Sequence, residues 1–156
     1  MCLVPTNLYG PHDNFSLANG HVLPALLHRC LLAKRDGSPL VVAGSGTPRR
    51  QFVFAPDLAR LLLWALRSYS SEVPLIIAPP AEDEVTIAQL ASLAAGATRF
   101  GGAIEWDRSR ADGQEAKTVS SARLRSLLPH FTFTPLDVGL KATAEWLESA
   151  FPNVRM

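Results

Sequence analysis

The chain of 156 residues predicts an α/β fold in which several strands belong to a sheet completed elsewhere. Short apolar runs of strand length alternate with segments whose apolar residues recur at helical spacing, the pattern of an α/β or α+β chain. Those runs are few and scattered, too thin for a parallel sheet buried on both faces by its own helices. The length suits one domain with a real core, residues 1–156, and is short for two. A composition of 47% apolar and 19% charged residues belongs to a folded chain rather than a disordered one.

Taken in order, Cys2-Leu3-Val4 reads as a short buried strand stopped by Pro5. A long polar loop follows, Thr6 to Gly20, with turn chemistry at Gly10-Pro11 and Asp13-Asn14. Long loops in compact domains are often functional. A helix is predicted over Val22 to Lys34, with Pro24 tolerated in its first turn and Gly37 just past its end. Leu40 to Ala43 is a strand, Gly44 to Pro48 a turn, and Gln51 to Phe54 a returning strand. Pro56 and Asp57 open a helix through Ser68, its apolar face made by Leu58, Leu61, Leu62, Ala65 and Leu66. Leu75 to Ala78 is a further short strand. Thr86 and Gln89 have capping-box spacing ahead of a helix that Gly96 would end. Ile104 to Trp106 is a weaker strand and Ala122 to Leu128 a short helix. The last helix starts at Thr134, Pro135 and Asp137, and Leu136, Leu140, Ala144, Leu147 and Phe151 line one side.

Several function classes are excluded at this level. Fifteen Lys and Arg against fourteen Asp and Glu leave a formal charge of +1, no global field for nucleic acid or an anionic membrane. Two cysteines, Cys2 and Cys30, make neither a disulfide framework nor a metal quartet and fit a reducing, cytoplasmic setting. No run is long enough to span a bilayer, and Met1 to Pro5 lacks a signal peptide's layout. The histidines show no metal-ligand spacing, and no serine stands in a Gly-x-Ser-x-Gly elbow.

Among residues that carry chemistry, Gly44-Ser45-Gly46 follows an apolar run but lacks the third glycine and the following helix of a pyrophosphate turn. It reads as an ordinary turn. His21 stands where the long loop meets a helix and has the imidazole suited to proton transfer near neutrality. A capping or packing histidine is the plainer reading, and the residues alone favour it. Arg49-Arg50 is either a solvated pair or, if Arg50 shares the side of Phe52 and Phe54, a guanidinium awaiting an anionic partner. Arg29, two turns beyond His21, offers a second cation, so that the two could grip a diphosphate. Asp112-Gly113, in a polar loop, is either a surface turn or a carboxylate placed to accept sugar hydroxyls.

The stretch Pro5-Thr6-Asn7-Leu8-Tyr9-Gly10-Pro11-His12-Asp13-Asn14-Phe15, continued by Gly20-His21-Val22-Leu23-Pro24-Ala25-Leu26, resembles the GDP-L-fucose synthase family. So do Gly44-Ser45-Gly46-Thr47-Pro48-Arg49-Arg50-Gln51-Phe52, Asp83-Glu84-Val85-Thr86-Ile87 and Asp112-Gly113, in order along the whole chain. Asn-x-Tyr-Gly-Pro alone marks only extended short-chain dehydrogenase/reductases; its continuation is the more specific part. The resemblance implies the C-terminal, substrate-binding part of such an enzyme, with a few strands and helices belonging to a Rossmann sheet not contained here. The family turns GDP-4-keto-6-deoxy-D-mannose into GDP-L-fucose with NADPH, epimerising C3 and C5 before reducing C4.

By that resemblance His21 is the acid of epimerisation, reversing the plainer reading. Pro5, Thr6, Asn7, Leu8 and His21 are implied as cofactor-binding, and Arg29, Arg50 and Asp112 as substrate-binding, with no metal. Where many relatives carry tryptophan before the Gly-x-Gly turn, this chain has Ala43. The family's glycine fingerprint, catalytic serine and cysteine, and Tyr-x-x-x-Lys have no counterpart in these residues: four positions beyond Tyr9 and Tyr69 stand Asp13 and Val73. The expectation is therefore a chain that lacks turnover alone, binds no NADP(H) tightly, and has as partners a GDP-sugar and an N-terminal Rossmann half. The intact family's homodimer forms through that other half and is not carried over. The alternatives are another GDP-sugar epimerase or dehydratase of the superfamily, and a non-catalytic nucleotide-sugar-binding fragment.

Overall fold

The computed structural model describes residues 1–156 as eight short strands and five helices. The strands make four two-stranded ladders. β1 (Leu3–Pro5) pairs in parallel with β6 (Leu75–Ile77), and β2 (Asn7–Tyr9) in parallel with β5 (Phe52–Phe54). β3 (Leu40–Ala43) pairs in parallel with β8 (Ile104–Asp107), while β4 (Arg49–Arg50) lies antiparallel to β7 (Val85–Thr86). Parallel pairs need long crossovers, and the helices α1 (Val22–Asp36), α2 (Ala55–Ser68), α3 (Ile87–Thr98), α4 (Ala122–Leu127) and α5 (Leu136–Ala150) supply or flank them.

Three expectations are corrected. The loop expected from Thr6 to Gly20 begins as strand: β1 and β2 are one extended run broken at Thr6, whose N–H donates to Ile77 O at 3.0 Å as the chain changes partners. The strand expected from Gln51 to Phe54 starts earlier and is split, with Gln51 standing between β4 and β5, so Arg50 lies on a different ladder from Phe52 and Phe54. Helix α3 passes through Gly96 and ends at Arg99, which takes the left-handed conformation at φ 55°. The Phe100 N–H returns to Ala95 O at 2.8 Å and tucks its ring into the core, a hydrophobic closure that outweighs the glycine signal. A further departure is β1, which includes Pro5 rather than stopping before it and leaves Val4 and Pro5 exposed, where a buried strand over Cys2 to Val4 is expected. At two helix ends the local signals hold. Gly37 ends α1 at φ 71°, and Thr86 and Gln89 form a reciprocal capping box.

The larger core lies between α1, α3, α5 and β3, where Leu27, Cys30, Leu40, Leu90, Leu140 and Leu147 are almost fully buried. Alanines at 91, 94 and 144 let these helices approach closely. A smaller core joins Val53, Leu61, Leu75, Ile77 and Leu124 beneath α2 and α4. Removing such a leucine to alanine costs about 2–5 kcal/mol. Lys34 ties α1 to the other two helices, donating to Thr98 O at 2.8 Å and to Glu148 at 3.2 Å. Burial pushes the Glu148 carboxyl up, but Lys34 and then Arg99 outweigh it and hold it below its ordinary value. The start of α1, the β1–β2 break and part of the loop after β8 border one cavity, through His21, Thr6, Lys117 and Val119.

Candidate functional site

A cleft of about 620 Å³ opens beside the Thr6 break. Its walls include Pro5, Thr6, Asn7, Leu8, His21 and Lys117, so the implied cofactor residues and the implied acid share one cavity. His21 is the N-cap of α1, in extended conformation, and its side chain makes no capping hydrogen bond. It is exposed to the cleft rather than packed. The packing histidine is His28, buried and paired through Nδ1 with Phe15 O at 2.8 Å. His12 lies against the ring of Trp146.

The neighbouring residue, Val22, lines a second cleft of about 210 Å³ together with Arg50, Asp112 and Gly113. The first turn of α1 thus stands between the two cavities, and no side chain caps it. Unsatisfied amides and the helix dipole at such an end attract anions. The first turn of α3 is different: Ala88 and Ile87 donate to Gly46 O and Pro48 O, both at 2.9 Å, and Gln89 donates to Thr86 Oγ1. The Gly44-Ser45-Gly46 turn, left-handed at both glycines, therefore seals a helix rather than opening one.

Arg29 lies apart from Arg50, in a groove of about 300 Å³ with Val41, Asp107 and Arg110, and Ala43 lines both that groove and the second cleft. Arg29 reaches only Val41 O, at 3.4 Å, and Arg50 only the carbonyl of Arg49, at 2.6 Å. Neither has a carboxylate partner. Arg49, by contrast, is held by buried Glu84 at 3.2 Å, so the two adjacent arginines have separate roles: one ties strands, the other is free for an anion. Asp112 is engaged, its two oxygens accepting from Ser45 N at 2.8 Å and Ser45 Oγ at 2.6 Å. Those bonds from the Ser45 side chain and backbone hold the Asp112 carboxyl below its ordinary value.

Two residues in this region carry no local sequence signal. Lys117 sits in an irregular polar loop and makes no ion pair of its own, yet it faces His21's cleft. Gln51 is 1% exposed, and its side-chain amide bonds Pro79 O and the backbone of Val119. Following Arg49-Arg50, it reads in the sequence as one more polar residue before Phe52. No group of three or more His, Cys, Asp or Glu stands close enough to hold a metal.

Parallel ladders joined by helical crossovers, with two clefts meeting at a helix start, make an α/β ligand-binding body, and its relatives say of which kind. Residues 1–77 match the NAD dependent epimerase/dehydratase family. The chain is 42% identical over 153 residues to GDP-L-fucose synthase from Dictyostelium discoideum, covering 98% of this chain and 48% of that protein. It is 36% identical to the GDP-L-fucose synthase of Escherichia coli, over 92% of this chain and 47% of that one. The crystal structure of a GDP-L-fucose synthetase from Naegleria fowleri superposes with a TM-score of 0.96 at 44% identity, covering 99% of this chain and 47% of that chain. A UDP-N-acetylglucosamine 4-epimerase at 17% identity and TM-score 0.78 shares the fold. The chain belongs to the GDP-L-fucose synthase family and corresponds to its C-terminal half, spanning about half the length of the curated relatives it matches.

Proposed function

We propose that residues 1–156 form the substrate domain of an enzyme that makes GDP-L-fucose from GDP-4-keto-6-deoxy-D-mannose. The observation that carries this reading is the shared cleft of His21, Pro5 to Leu8 and Lys117, joined at the first turn of α1 to the cleft of Arg50. A GDP-sugar laid across that turn has its diphosphate between unpaired cations and its ketosugar beside the imidazole. The C4 ketone acidifies the neighbouring C–H bonds; a base assigned to the N-terminal half takes the proton from C3 or C5, and His21 returns one to the opposite face as the centre inverts. Arg50 and Lys117 hold the diphosphate, and Arg29 supports the nucleotide end. Asp112 keeps the Ser45 turn in place and retains lone pairs for a ribose hydroxyl.

A relative from Naegleria fowleri has been crystallised with NADP. The fit of that group to this chain is supported by Thr6, whose Oγ1 is buried at the cleft without any partner. When bound, NADPH supplies the hydride that reduces C4; Pro5 to Leu8 would form the wall beside it. The remaining cofactor contacts and the proton donor to the new alkoxide are assigned to an N-terminal Rossmann half, so this chain alone performs no reduction.

Isothermal titration of the chain with GDP, with GDP-mannose alongside, tests the reading. Saturable binding is expected, weakened roughly tenfold by Arg50→Ala, the scale of one charge-assisted contact. A folded chain that binds neither ligand would overturn the assignment of a preformed substrate site to these residues.

A further inference from the structure

We propose that Gln51 is a positioning residue for substrate, one that fixes the Lys117 segment against the cleft; this rests on the GDP-sugar reading of that cleft. The side-chain Nε2 donates to Pro79 O at 2.9 Å and to Val119 O at 3.3 Å, while Oε1 accepts from Val119 N at 2.9 Å. One amide therefore satisfies both backbone polar groups of Val119, as a neighbouring strand would. The carbonyl of Gln51 accepts from Asn7 Nδ2 at 2.9 Å. Two walls of the cleft, at Asn7 and Val119, and the backbone of Pro79 behind them thus meet on one residue in the break between β4 and β5.

That connection bears on Lys117 through backbone geometry. Successive side chains of an extended segment alternate in direction, so residues two apart share a side. Lys117 and Val119 both line the cleft, while Thr118 between them donates to Glu84 Oε1 at 2.7 Å. The Lys117 ammonium makes no protein hydrogen bond. Its place at the cleft is set by the backbone alone, and Gln51 holds the end of that backbone. A buried amide with every bond made specifies one arrangement, whereas an apolar side chain of the same volume would strand three backbone groups.

A double-mutant cycle on GDP affinity tests this in the full chain, with Gln51→Met and Lys117→Ala, alone and combined. Each single change is expected to weaken GDP roughly tenfold, the loss of about one charged contact. The double variant should be no weaker than either, because Gln51 acts through Lys117. Amide exchange at Val119 should quicken at least tenfold in Gln51→Met while the buried amides of α3 and α5 keep their rates. Additive losses would overturn the proposal, as would unchanged affinity in a variant whose Val119 amide has loosened. Should Gln51→Met fail to fold, Gln51→Asn, too short to span Pro79 and Val119 together, is judged by the same two criteria. A wild-type chain that does not bind GDP removes the substrate reading itself, and with it this role; binding with no effect at Gln51 removes the role alone.

Discussion

Asp112 commits both carboxylate oxygens to Ser45, and this makes the loop over the site responsive to acid. Its folded pKa lies below the ordinary value because Ser45 bonds the charged form. A depressed carboxylate stabilises the folded arrangement above the unfolded pKa, near 3.9, and loses that contribution as pH falls through the lower folded value. The Ser45 amide resonance should therefore hold still on acidification until well under the ordinary carboxylate range, then move; titration at or above about 3.9 would show the clasp absent in solution. Cys30 presents the opposite case. Burial pushes its thiol up to about 11, against a smaller lowering by Thr98, so it is protonated and shielded, whereas Cys2 is exposed. A thiol reagent near neutral pH should modify Cys2 alone, with Cys30 reacting only in denaturant. Comparable rates at both would contradict the packing of α1 against α3.

Helix α5 approaches the buried ring of Tyr9 at Gly139, where any side chain would overlap the Tyr9 hydroxyl. Burial, then the charges of Asp57 and Asp137, raise the Tyr9 pKa, so the ring stays neutral there. Gly139→Ala gains helix propensity but forces that contact apart, and a net loss of about 1–3 kcal/mol in denaturant unfolding is expected. In a Tyr9→Phe background the loss should shrink; an equal loss in both would place the strain elsewhere. What the sequence disclosed about elements follows the reach of each signal. The Thr86–Gln89 capping box and the Gly37 stop act within a few residues, and both were legible. The strand at Asn7–Tyr9 is three residues long and exists because it pairs with Phe52–Phe54, far along the chain, so nothing local announces it. The end of α3 was misread for a related reason: Gly96 is the local cue, but the burial of Phe100 decides. At the site, His21 and Arg50 were visible as chemistry-bearing types at an element boundary, and resemblance supplied their roles. Lys117 was not, since a lysine in a polar loop has no pattern until Gln51 and Val119 fix where that loop runs.

On the scale of the whole molecule, α2 is apolar on two sides. Leu61 and Ala65 are buried over the smaller core, while Leu62, Leu63 and Leu66 are 40%, 56% and 71% exposed on the other side. A second, uncovered apolar face on a helix marks a surface made to be covered. Strand β1 points the same way, since it is paired only to β6, its other edge carries no ladder, and Val4 is 45% exposed. Parallel strands are ordinarily covered, and an open edge invites pairing. The proposed Rossmann half answers both needs by extending the sheet past β1 and covering the leucines, each worth about 1.5–3 kcal/mol on full burial. Mixing this chain with the N-terminal half of a homologous synthase should then restore NADPH oxidation with the ketosugar substrate. Leu63→Lys should abolish that recovery while leaving GDP titration of the isolated chain unchanged, because Leu63 lies outside both clefts. Equal recovery with the lysine variant would show that the leucine face is not the joining surface. Loss of GDP binding in the same variant would mean instead that α2 holds the substrate site together, and that the two cores fold as one unit.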